Sequence, residues 1–524
     1  MWTRPFDPQR GGGHPRSGPR HTGKLADGLR HLDARFGDNS DYKVRRLTVF
    51  GRPAACVFVR TVTDPQVVET VLRALLRWSD RRPNRRSAAD TLVQHVIPNG
   101  DVYTTERFEE MERAVVTGYL AILVDGDPAA VLVQAHYVEH RAPEPPYIES
   151  TSRGSQISFV ENIDVNVGLI RGYLRTQSLR VQKFRVGVRG NTDVAMIYIH
   201  DIANPVIVDT VAKRIQAVQV DAINQSNDLE RYIVDNRWTP FPLTNLSQRV
   251  DSTVRELNHG KVAILVDGDP SILTVPGTMQ DFFQTEEDYA HSFYETTFVR
   301  WLRVAAFLLA AYLPALYVSF VDFNPELLPR VLGVQIARSR EGVPFPAVIE
   351  VILMMIVIEI LREATLRMPK QMGQTIAIVG GLVVGEASVQ AGLVSNILII
   401  VVALSVLSMF VTPSYEFSLV LRLLSWAMVL AGTALGLYGV TLLTMLLYYH
   451  IASLKSFGVS YLAPFGGGHL RDALADGFMR IPVGKRSRRP VYMHTPDPTQ
   501  AAPYHDPVRH PQVEKRSSRK WPKR

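Results

Sequence analysis

The eight residues AILVDGDP occur twice in this 524-residue chain, at 121–128 and again at 263–270. In each copy an apolar run leads into Asp-Gly-Asp-Pro, and another apolar run follows. A strand, a tight turn whose glycine takes a positive φ, and a returning strand have this pattern. The repeat therefore predicts two related α/β subdomains, with structural turns at Asp125-Gly126-Asp127 and Asp267-Gly268-Asp269.

The Asp-x-Asp pattern has a second interpretation. Two carboxylates after a strand hold the divalent ion of a nucleotide-sugar in many glycosyltransferases. However, the sequence near either copy contains no glycine-rich phosphate cradle, and a repeated fold element explains a repeat better than two identical active sites. We therefore expect no catalytic residue and no enzyme, with a membrane-anchored, metal-dependent transferase as the alternative.

Composition narrows the class of protein. With 46% hydrophobic and 21% charged residues the chain is too apolar to be disordered as a whole. The one cysteine, Cys56, excludes an internal disulfide framework, and no cysteine or histidine cluster has the spacing of zinc ligands. We expect no cofactor and no metal. Residues 1–40 begin with a stretch rich in Gly, Pro and Arg that lacks the apolar core of a signal peptide, which predicts a disordered basic arm in the cytoplasm.

The positive charge is concentrated at the C-terminus. Between Lys485 and Arg524 there are eleven basic and three acidic residues, so the whole formal excess of +8 lies there. A solvated tail is the favoured interpretation, while binding to anionic lipid headgroups stays open. We expect no nucleic-acid partner.

Hydropathy divides the chain near residue 298. Before it, short β-rich runs alternate with helical stretches, which is typical of α/β units, and the predicted subdomains cover 41–150 and 151–297. After it, residues 304–321 are 18 uncharged residues, close to the roughly 20 that cross a bilayer. Four further apolar segments follow at 347–361, 375–393, 396–412 and 423–449.

These patterns predict an α/β N-terminal half of two related subdomains, then an all-α polytopic membrane domain at 298–452 with four to five hydrophobic helices. Residues 453–524 are expected to be a C-terminal segment with a basic disordered tail. Five full spans would place this tail across the membrane from the N-terminal half. The basic residues after 361 argue against that arrangement, so we expect 347–361 or 375–393 to be re-entrant or interfacial.

Four stretches resemble the GerA family, the A subunits of bacterial spore germinant receptors. They are the region from EGVPFPAVIE at 341 to LRLLSW ending at 426, SLKSFGVSYLAPF at 453–465, RGSQISFVENIDVNVGLIRGYLR at 153–175, and WTPFPLTNLSQRVD at 238–251. The resemblance covers about residues 41–466, and GQTIAIVGGLVVG at 373–385 is most similar to the SpoVAF-like branch.

The resemblance implies a non-enzymatic membrane subunit of a spore germination complex, involved in ion release from the dormant spore core. It also implies a homo-oligomer that works with other membrane germination proteins of the B-subunit type. The expected location is the spore inner membrane, crossed several times, with the N-terminal half in the cytoplasm. A non-conducting scaffold remains a further alternative.

Candidate site residues lie in the apolar half. Glu386 and Gln390 occupy positions where the family commonly has the amide first and the acid second, and a carboxylate inside a bilayer needs a partner, a proton or water. We expect both to border an ion path. Glu350 is a third candidate, since Glu359 precedes Arg362 by three residues and can pair with it, leaving Glu350 freer.

Two further expectations concern packing. The glycines at 380, 381 and 385 are expected to let helices approach closely, and Gly381 and Gly385 have a GxxxG spacing. On a predicted helix after Arg153-Gly154, four polar side chains are expected on a solvated or inter-subunit face: Glu161, Asn166, Arg171 and Arg175.

Overall fold

The protein is described here from a computed structural model that covers residues 19–79, 87–137, 149, 154–367, 385–466, 473–477, 479–482 and 488–500. Within these residues, two antiparallel sheets with their helices form the N-terminal half, and a bundle of helices follows. The predicted fold class, α/β and then all-α, is confirmed.

The first subdomain is a five-stranded antiparallel sheet in the order β1-β2-β4-β5-β3. Its strands are β1 Tyr42–Val49, β2 Arg52–Val59, β3 Val102–Thr105, β4 Tyr119–Val124 and β5 Ala130–Gln134. Its helices are α1 Leu25–Phe36, α2 Pro65–Leu76, α3 Ala88–Thr91 and α4 Phe108–Val116.

Both faces of this sheet are covered, which explains why β4 is apolar at every position. Side chains alternate across a strand. Ala121 and Leu123 of β4 therefore pack with α1 and α4, and Leu120 and Ile122 pack with α2 and α3 on the other face. All four side chains are fully buried.

The second subdomain repeats this architecture strand by strand, in the order β6-β7-β9-β10-β8. Its strands are β6 Leu179–Val186, β7 Thr192–Ile199, β8 Asn245–Ser247, β9 Val262–Val266 and β10 Ile272–Val275. Its helices are α5 Ile163–Tyr173, α6 Pro205–Gln216, α7 Ser226–Ile233 and α8 Val250–Asn258. The first AILVDGDP copy spans the β4–β5 turn and the second spans the β9–β10 turn, so the two copies are equivalent elements of two related subdomains.

Three predicted boundaries need correction. Residues 25–36 of the expected disordered arm form α1, because Leu29, Leu32 and Phe36 recur on one helix face and complete the core under the first sheet. Part of the expected C-terminal tail is also folded, since Tyr492 and Met493 lie in the core of the second subdomain. The first long helix of the helical half starts at Phe293, before the predicted boundary at 298.

The helical half begins after a short helix, α9 Glu287–Ala290. It consists of α10 Phe293–Val318, α11 Arg330–Ser339, α12 Ala347–Arg367, α13 Gly385–Gln390, α14 Asn396–Phe410 and α15 Tyr415–Ser453. Phe293–Phe323 and Tyr415–Ser453 are long and apolar enough to cross a membrane, and α14 is a shorter apolar helix. Only residues 385–393 of the predicted segment 375–393 lie in the described part of the chain.

Proline 314 interrupts the hydrogen-bond ladder of α10, and another helix repairs it. Proline has no N–H group, so the carbonyl of Ala310, four residues earlier, loses its partner within the helix. The hydroxyl of Ser405 on α14 donates to this oxygen at 3.1 Å. The bond fixes the contact between α10 and α14.

Gly436 turns α15 into a hairpin of two arms, 415–435 and 437–453. Its φ of 58° with ψ of −144° is a conformation that only glycine adopts readily, and a Cβ there would lie 2.8 Å from Cβ of Phe323. Phe417 at the start of the first arm and Ile451 at the end of the second lie in one apolar cluster. Both ends of α15 therefore lie beside the α/β half.

The hairpin returns the C-terminal segment to the second subdomain. A small ribbon, β11 Lys455–Ser456 with β12 Val459–Ser460, follows α15. The hydroxyl of Ser456 donates to the carbonyl of Leu243 at 2.6 Å, and Met279 N–H donates to the carbonyl of Tyr461 at 2.8 Å. The segments that precede and follow the helical half in the sequence are thus hydrogen-bonded to each other at one junction.

Candidate functional site: the Asp-Gly-Asp turns and the junction of the two halves

The Asp125-Gly126-Asp127 turn binds the beginnings of two helices. Asp125 Oδ1 accepts from the N–H of Leu25, the first residue of α1, at 2.9 Å. Asp127 Oδ2 accepts from the N–H of Ala89 in α3 at 2.9 Å, and its Oδ1 accepts from Ala129 N–H at 3.0 Å. Gly126 has a φ of 83°, as the tight turn requires.

The Asp267-Gly268-Asp269 turn makes equivalent bonds. Asp267 Oδ1 accepts from the N–H of Ile163, the first residue of α5, at 3.2 Å. Asp269 Oδ2 accepts from the N–H of Ser226, the first residue of α7, at 2.6 Å, and its Oδ1 accepts from Ser271 N–H at 2.9 Å. Gly268 has a φ of 90°.

The repeated motif is thus a device that caps helices from a distant strand turn. Free N–H groups at a helix start need acceptors, and a carboxylate there is also favoured by the helix dipole. The four carboxylates are engaged with backbone amides of their own subdomain. Among the described residues, no group of three or more His, Cys, Asp or Glu side chains is arranged to hold a metal ion.

We expect Asp127→Ala and Asp269→Ala each to lower the free energy of unfolding by about 0.5–2 kcal/mol, the usual cost of losing a cap. Asn should retain part of this stability, because its side-chain oxygen can still accept. Denaturant unfolding of the detergent-solubilised protein measures the change. Asp209→Ala is the matched control, since Asp209 is exposed and pairs with Lys213 on its own helix, at 2.6 Å. A control effect as large as those of the turn variants would contradict the capping role.

Glu386 and Gln390 lie on α13 with both side chains exposed, and Gln390 Nε2 donates to Glu386 Oε1 at 3.2 Å. Among the described residues, nothing lies within 4 Å of a Cβ added to Gly385. Gly380 and Gly381 lie outside the described residues. In the described part of the helical half, Gly432, Gly436 and Gly439 at the α15 hairpin are closely packed. Gly432 and Gly436 also have the GxxxG spacing, and this spacing could have indicated the close packing from the sequence.

Glu350 is fully buried, so the expectation that it is the freer carboxylate is wrong. Its Oε1 accepts from Nε of Arg340 at 3.0 Å, and its Oε2 accepts from the N–H of Ser395 at 2.9 Å. Arg340 also lies 3.5 Å from Asp322 at the end of the first long helix. Glu350 joins the starts of α12 and α14, because a buried carboxylate is stable only with charged and hydrogen-bonding partners.

Glu359 has two partners. The expected ion pair with Arg362 is present, at 3.7 Å, and Arg422 of α15 lies closer, at 3.0 Å. The second contact depends on residues 63 positions apart, which no local pattern could indicate. It ties α12 to the first arm of α15.

The junction between the α/β half and α10 contains a charge cluster that the sequence analysis missed. Asp288, Arg300 and Arg303 are all buried. Asp288 Oδ2 lies 2.7 Å from Nη1 of Arg303 and 3.2 Å from Nε of Arg300. Arg300 also contacts Asp476 of the C-terminal segment, at 3.4 Å. The signal in the sequence was two arginines three residues apart at the start of a long apolar run.

A second buried charge cluster, of Lys261, Glu256 and Asp281, holds residues 279–283 against the second subdomain. Lys261, at the start of β9, is 1% exposed and contacts Glu256 and Asp281, with Nζ 2.7 Å from Asp281 Oδ2. Burial alone would lower the pKa of Lys261, but the charges of Asp281 and Glu256 outweigh it, so this pKa is raised. Lys261 is therefore a cation at neutral pH and holds α8 against residues 279–283.

Aromatic rings complete the junction. Phe241 and Phe282 of the α/β half, Phe417 of α15 and Tyr461 of the C-terminal segment share one buried cluster. Phe282 stacks on Phe417 with ring centroids 5.6 Å apart. The cluster makes the two halves one packed unit at this point.

Beside this cluster lies a cavity of about 960 Å³, between the α7–β8 loop and the α14–α15 loop. Its lining includes Glu230, Phe241, Tyr415 and Glu416. Burial raises the pKa of Glu230, while the Thr244 hydroxyl, which donates to it at 2.5 Å, acts to lower it. The volume is at the upper end of the range for small-molecule sites.

Known proteins resemble the chain over nearly its whole length. The profile of the Bacillus/Clostridium GerA spore germination protein family matches residues 30–492. Spore germination protein GerLA of Bacillus cereus is 36% identical over 479 residues, covering 91% of this chain and 97% of that protein. Spore germination protein KA of Bacillus subtilis is 33% identical over 473 residues, covering 89% and 86%.

Among solved structures, the N-terminal domain of the A subunit of the Bacillus megaterium spore germinant receptor GerK3 matches with a TM-score of 0.40 and 24% identity, covering 50% of this chain and 98% of that domain. Spore germination protein B1 of Bacillus subtilis is 37% identical over 383 residues, 73% of this chain and 79% of that protein. The family profile and the relatives agree along the sequence. The chain belongs to the GerA family of spore germination proteins.

Proposed function

We propose that the chain is a non-enzymatic membrane subunit of a spore germination complex, which forms oligomers and takes part in releasing ions from the dormant spore core. The observation that carries this proposal is the charge cluster of Asp288, Arg300 and Arg303, which joins the α/β half to the first long apolar helix of a GerA family chain. A movement of the α/β half is thereby transmitted to the helices, as gating requires.

The proposed location is the spore inner membrane, with the helical half crossing it several times and the α/β half in the cytoplasm. The α15 hairpin supports a C-terminal segment on the same side as the α/β half, since Tyr461, Tyr492 and Met493 pack into clusters with residues of that half. If the two arms of α15 each cross the membrane, the five apolar segments make six crossings, and neither 347–361 nor 375–393 has to be re-entrant or interfacial to keep the tail in the cytoplasm. The hairpin also brings the basic tail to the leaflet face where anionic lipid attracts Lys and Arg.

The proposed partners are further copies of the chain and other membrane germination proteins. Exposed apolar side chains on the outer faces of the helices, such as Ile400, Leu407 and Leu430, would face lipid or neighbouring subunits. Both a receptor A-subunit role and a SpoVAF-like role fit this arrangement.

Two alternative functions make different demands on this structure. A metal-dependent transferase would need the Asp-Gly-Asp carboxylates free to bind an ion, but these oxygens accept from backbone amides. A non-conducting scaffold would share the same junction and would differ only in ion flux. The flux measurement below therefore separates the scaffold from the conducting subunit.

We expect Glu386→Gln to lower cation flux through the reconstituted protein while assembly is kept. In a ring of subunits this exposed carboxylate would recur around the axis and attract cations. Flux from loaded liposomes is the measurement, with membrane levels checked by immunoblot. Glu386→Lys should abolish cation flux, and Glu386→Gln with Gln390→Glu should restore it, since the acid then returns to the helix face one turn away.

Glu363→Gln is the matched control, because Glu363 is an exposed acid of the same half that already pairs with Arg367 at 2.7 Å. Equal flux in Glu386→Gln and the native protein would remove Glu386 from the ion path. No flux in the native protein would instead favour the scaffold.

A further inference from the structure

Trp238 is the most exposed large hydrophobic side chain of the described residues, at 96%. Tryptophan is normally well buried, so a fully exposed ring needs a partner or an interface. Trp238 lies in the loop between α7 and β8, and its N–H donates to Asn236 Oδ1 at 2.9 Å. The backbone is thus held while the ring projects outward.

The loop is fixed against the ends of the apolar hairpin. Thr239 Oγ1 lies 3.0 Å from Nε2 of His450, near the end of α15, and Phe241 lies in the same aromatic cluster as Phe417 near its start. Thr239 and Pro240 also line the junction cavity together with Tyr415. Trp238 therefore lies close to both ends of α15, where this helix hairpin contacts the α/β half.

Other exposed aromatic side chains lie at these helix ends. Tyr415 begins α15, and Tyr448 and Tyr449 precede His450 at its end; all three are more than 60% exposed. Phe298 and Trp301 are exposed near the start of α10. Tyrosine and tryptophan concentrate where a membrane meets water, because their rings are apolar and their N–H or O–H groups remain polar.

A basic side chain accompanies the ring. Arg237 is exposed, its Nη2 donates to the carbonyl of Tyr232 at 3.2 Å, and its guanidinium lies 5.8 Å from the Tyr232 ring centroid. A guanidinium binds phosphate through several N–H donors. Tryptophan beside arginine matches a lipid headgroup layer, with the ring among glycerol groups and the cation at phosphate.

We propose that the second α/β subdomain contacts the bilayer surface directly, with Trp238 inserted into the headgroup layer and Arg237 bound to lipid phosphate. The proposal rests on the helical half lying in a bilayer, as set out under the proposed function. It makes the membrane itself a partner of the α/β half, so that the α7–β8 loop touches both the lipid surface and the ends of α15.

The test is depth-dependent fluorescence quenching in the full-length protein. A Trp238→Cys variant is labelled with a small environment-sensitive fluorophore and reconstituted into vesicles with bromine-substituted acyl chains. The Trp238 side chain is 96% exposed, so its replacement should cost little packing. Native Cys56 is fully buried with its pKa raised to about 12 by burial, so the native protein is the labelling blank. We expect the label at 238 to shift to shorter wavelength and to lose most of its emission to the bromolipid.

Two controls separate the possible failures. Leu308→Cys and Leu430→Cys place the label on exposed positions of the two long apolar helices, and Val188→Cys places it on the exposed β6–β7 turn, at the opposite end of the second sheet from residues 279–283. Quenching at 308 or 430 without quenching at 238 would overturn the lipid contact and leave the proposed function intact. The label at 188 should stay unquenched. A label that is unquenched at 238, 308 and 430 alike would overturn the membrane placement itself.

Arg237 is tested in the same vesicles. Arg237→Gln in the Trp238→Cys background should reduce the quenching at 238, whereas Arg189→Gln, which changes an exposed arginine beside Val188, should leave it unchanged. If the label at 238 is quenched equally strongly with and without the Arg237→Gln change, Arg237 does not bind lipid phosphate and only the contact at position 238 remains.

Discussion

Arg171→Met is expected to lower the free energy of unfolding by about 3–5 kcal/mol, because it leaves the buried carboxylate of Asp41 without its cation. Arg171 Nε lies 2.7 Å from Asp41 Oδ2, its Nη2 lies 2.9 Å from Oδ1, and both side chains are at most 2% exposed. The pair joins α5 of the second subdomain to the start of β1 in the first. Denaturant unfolding of the full-length protein in detergent measures the loss.

The matched control is Arg60→Met. Arg60 pairs with Asp164 across the same two subdomains at 2.7 Å, but both side chains are substantially exposed, at 48% and 35%. An exposed pair contributes about 0–1 kcal/mol. A loss in Arg171→Met no greater than in Arg60→Met would show that the buried pair does not hold the subdomains together. Adding Asp41→Leu to Arg171→Met should recover part of the loss, since no charge then remains buried.

The second large effect is expected at Asp288. Asp288→Asn removes the only negative charge that contacts both Arg300 and Arg303 in the described part of the chain, and should cost about 3–5 kcal/mol of stability. If the proposed gating is correct, it should also abolish the response of the helices to the α/β half. Glu295→Gln is the control, because Glu295 lies on the first turn of α10 but is 55% exposed and pairs with His291.

The same site has a defined pH dependence. Burial acts to raise the pKa of Asp288, but the hydrogen bonds and charges of Arg303 and Arg300 outweigh it, so its pKa is held below the usual range. A lowered folded-state pKa means that the stabilisation is complete above the ordinary aspartate pKa and is lost as the pH falls through the folded value. Stability measured from neutral to acidic pH should therefore fall more steeply in the native protein than in Asp288→Asn. Parallel curves would contradict the assignment.

Local patterns were sufficient for much of this architecture. The repeated AILVDGDP predicts two related subdomains because strand, turn and returning strand are encoded within about fifteen neighbouring residues. The long apolar runs predict the helical half for the same reason, and the family motifs identify the chain as a member of the GerA family. The ion pair of Glu359 with Arg362 follows from a spacing of three on one helix.

Only the tertiary structure decided which partners the buried charged side chains have. Glu350 is held by Arg340 and by the backbone of Ser395, and Arg171 is bonded to Asp41, 130 positions away. A charged residue on a predicted helix has the same local pattern whether it faces water or a buried partner, so its environment depends on which distant segment packs there. The helix after Arg153-Gly154 was expected to present a solvated or inter-subunit face for this reason. Asn166 and Arg171 are instead buried within the chain, whereas Glu161 and Arg175 are exposed.

The hairpin of α15 shows the same limit in the helical half. The apolar run at 423–449 has the composition of one continuous span, and its reversal depends on Gly436 meeting Phe323 of a different segment. An apolar composition predicts that a segment avoids water, whereas the point at which the chain reverses depends on close packing between helices. The sequence by itself thus determined the repeat, the fold class and the family. Only long-range packing decided that both ends of α15 and the C-terminal segment meet the second subdomain at one charged and aromatic junction.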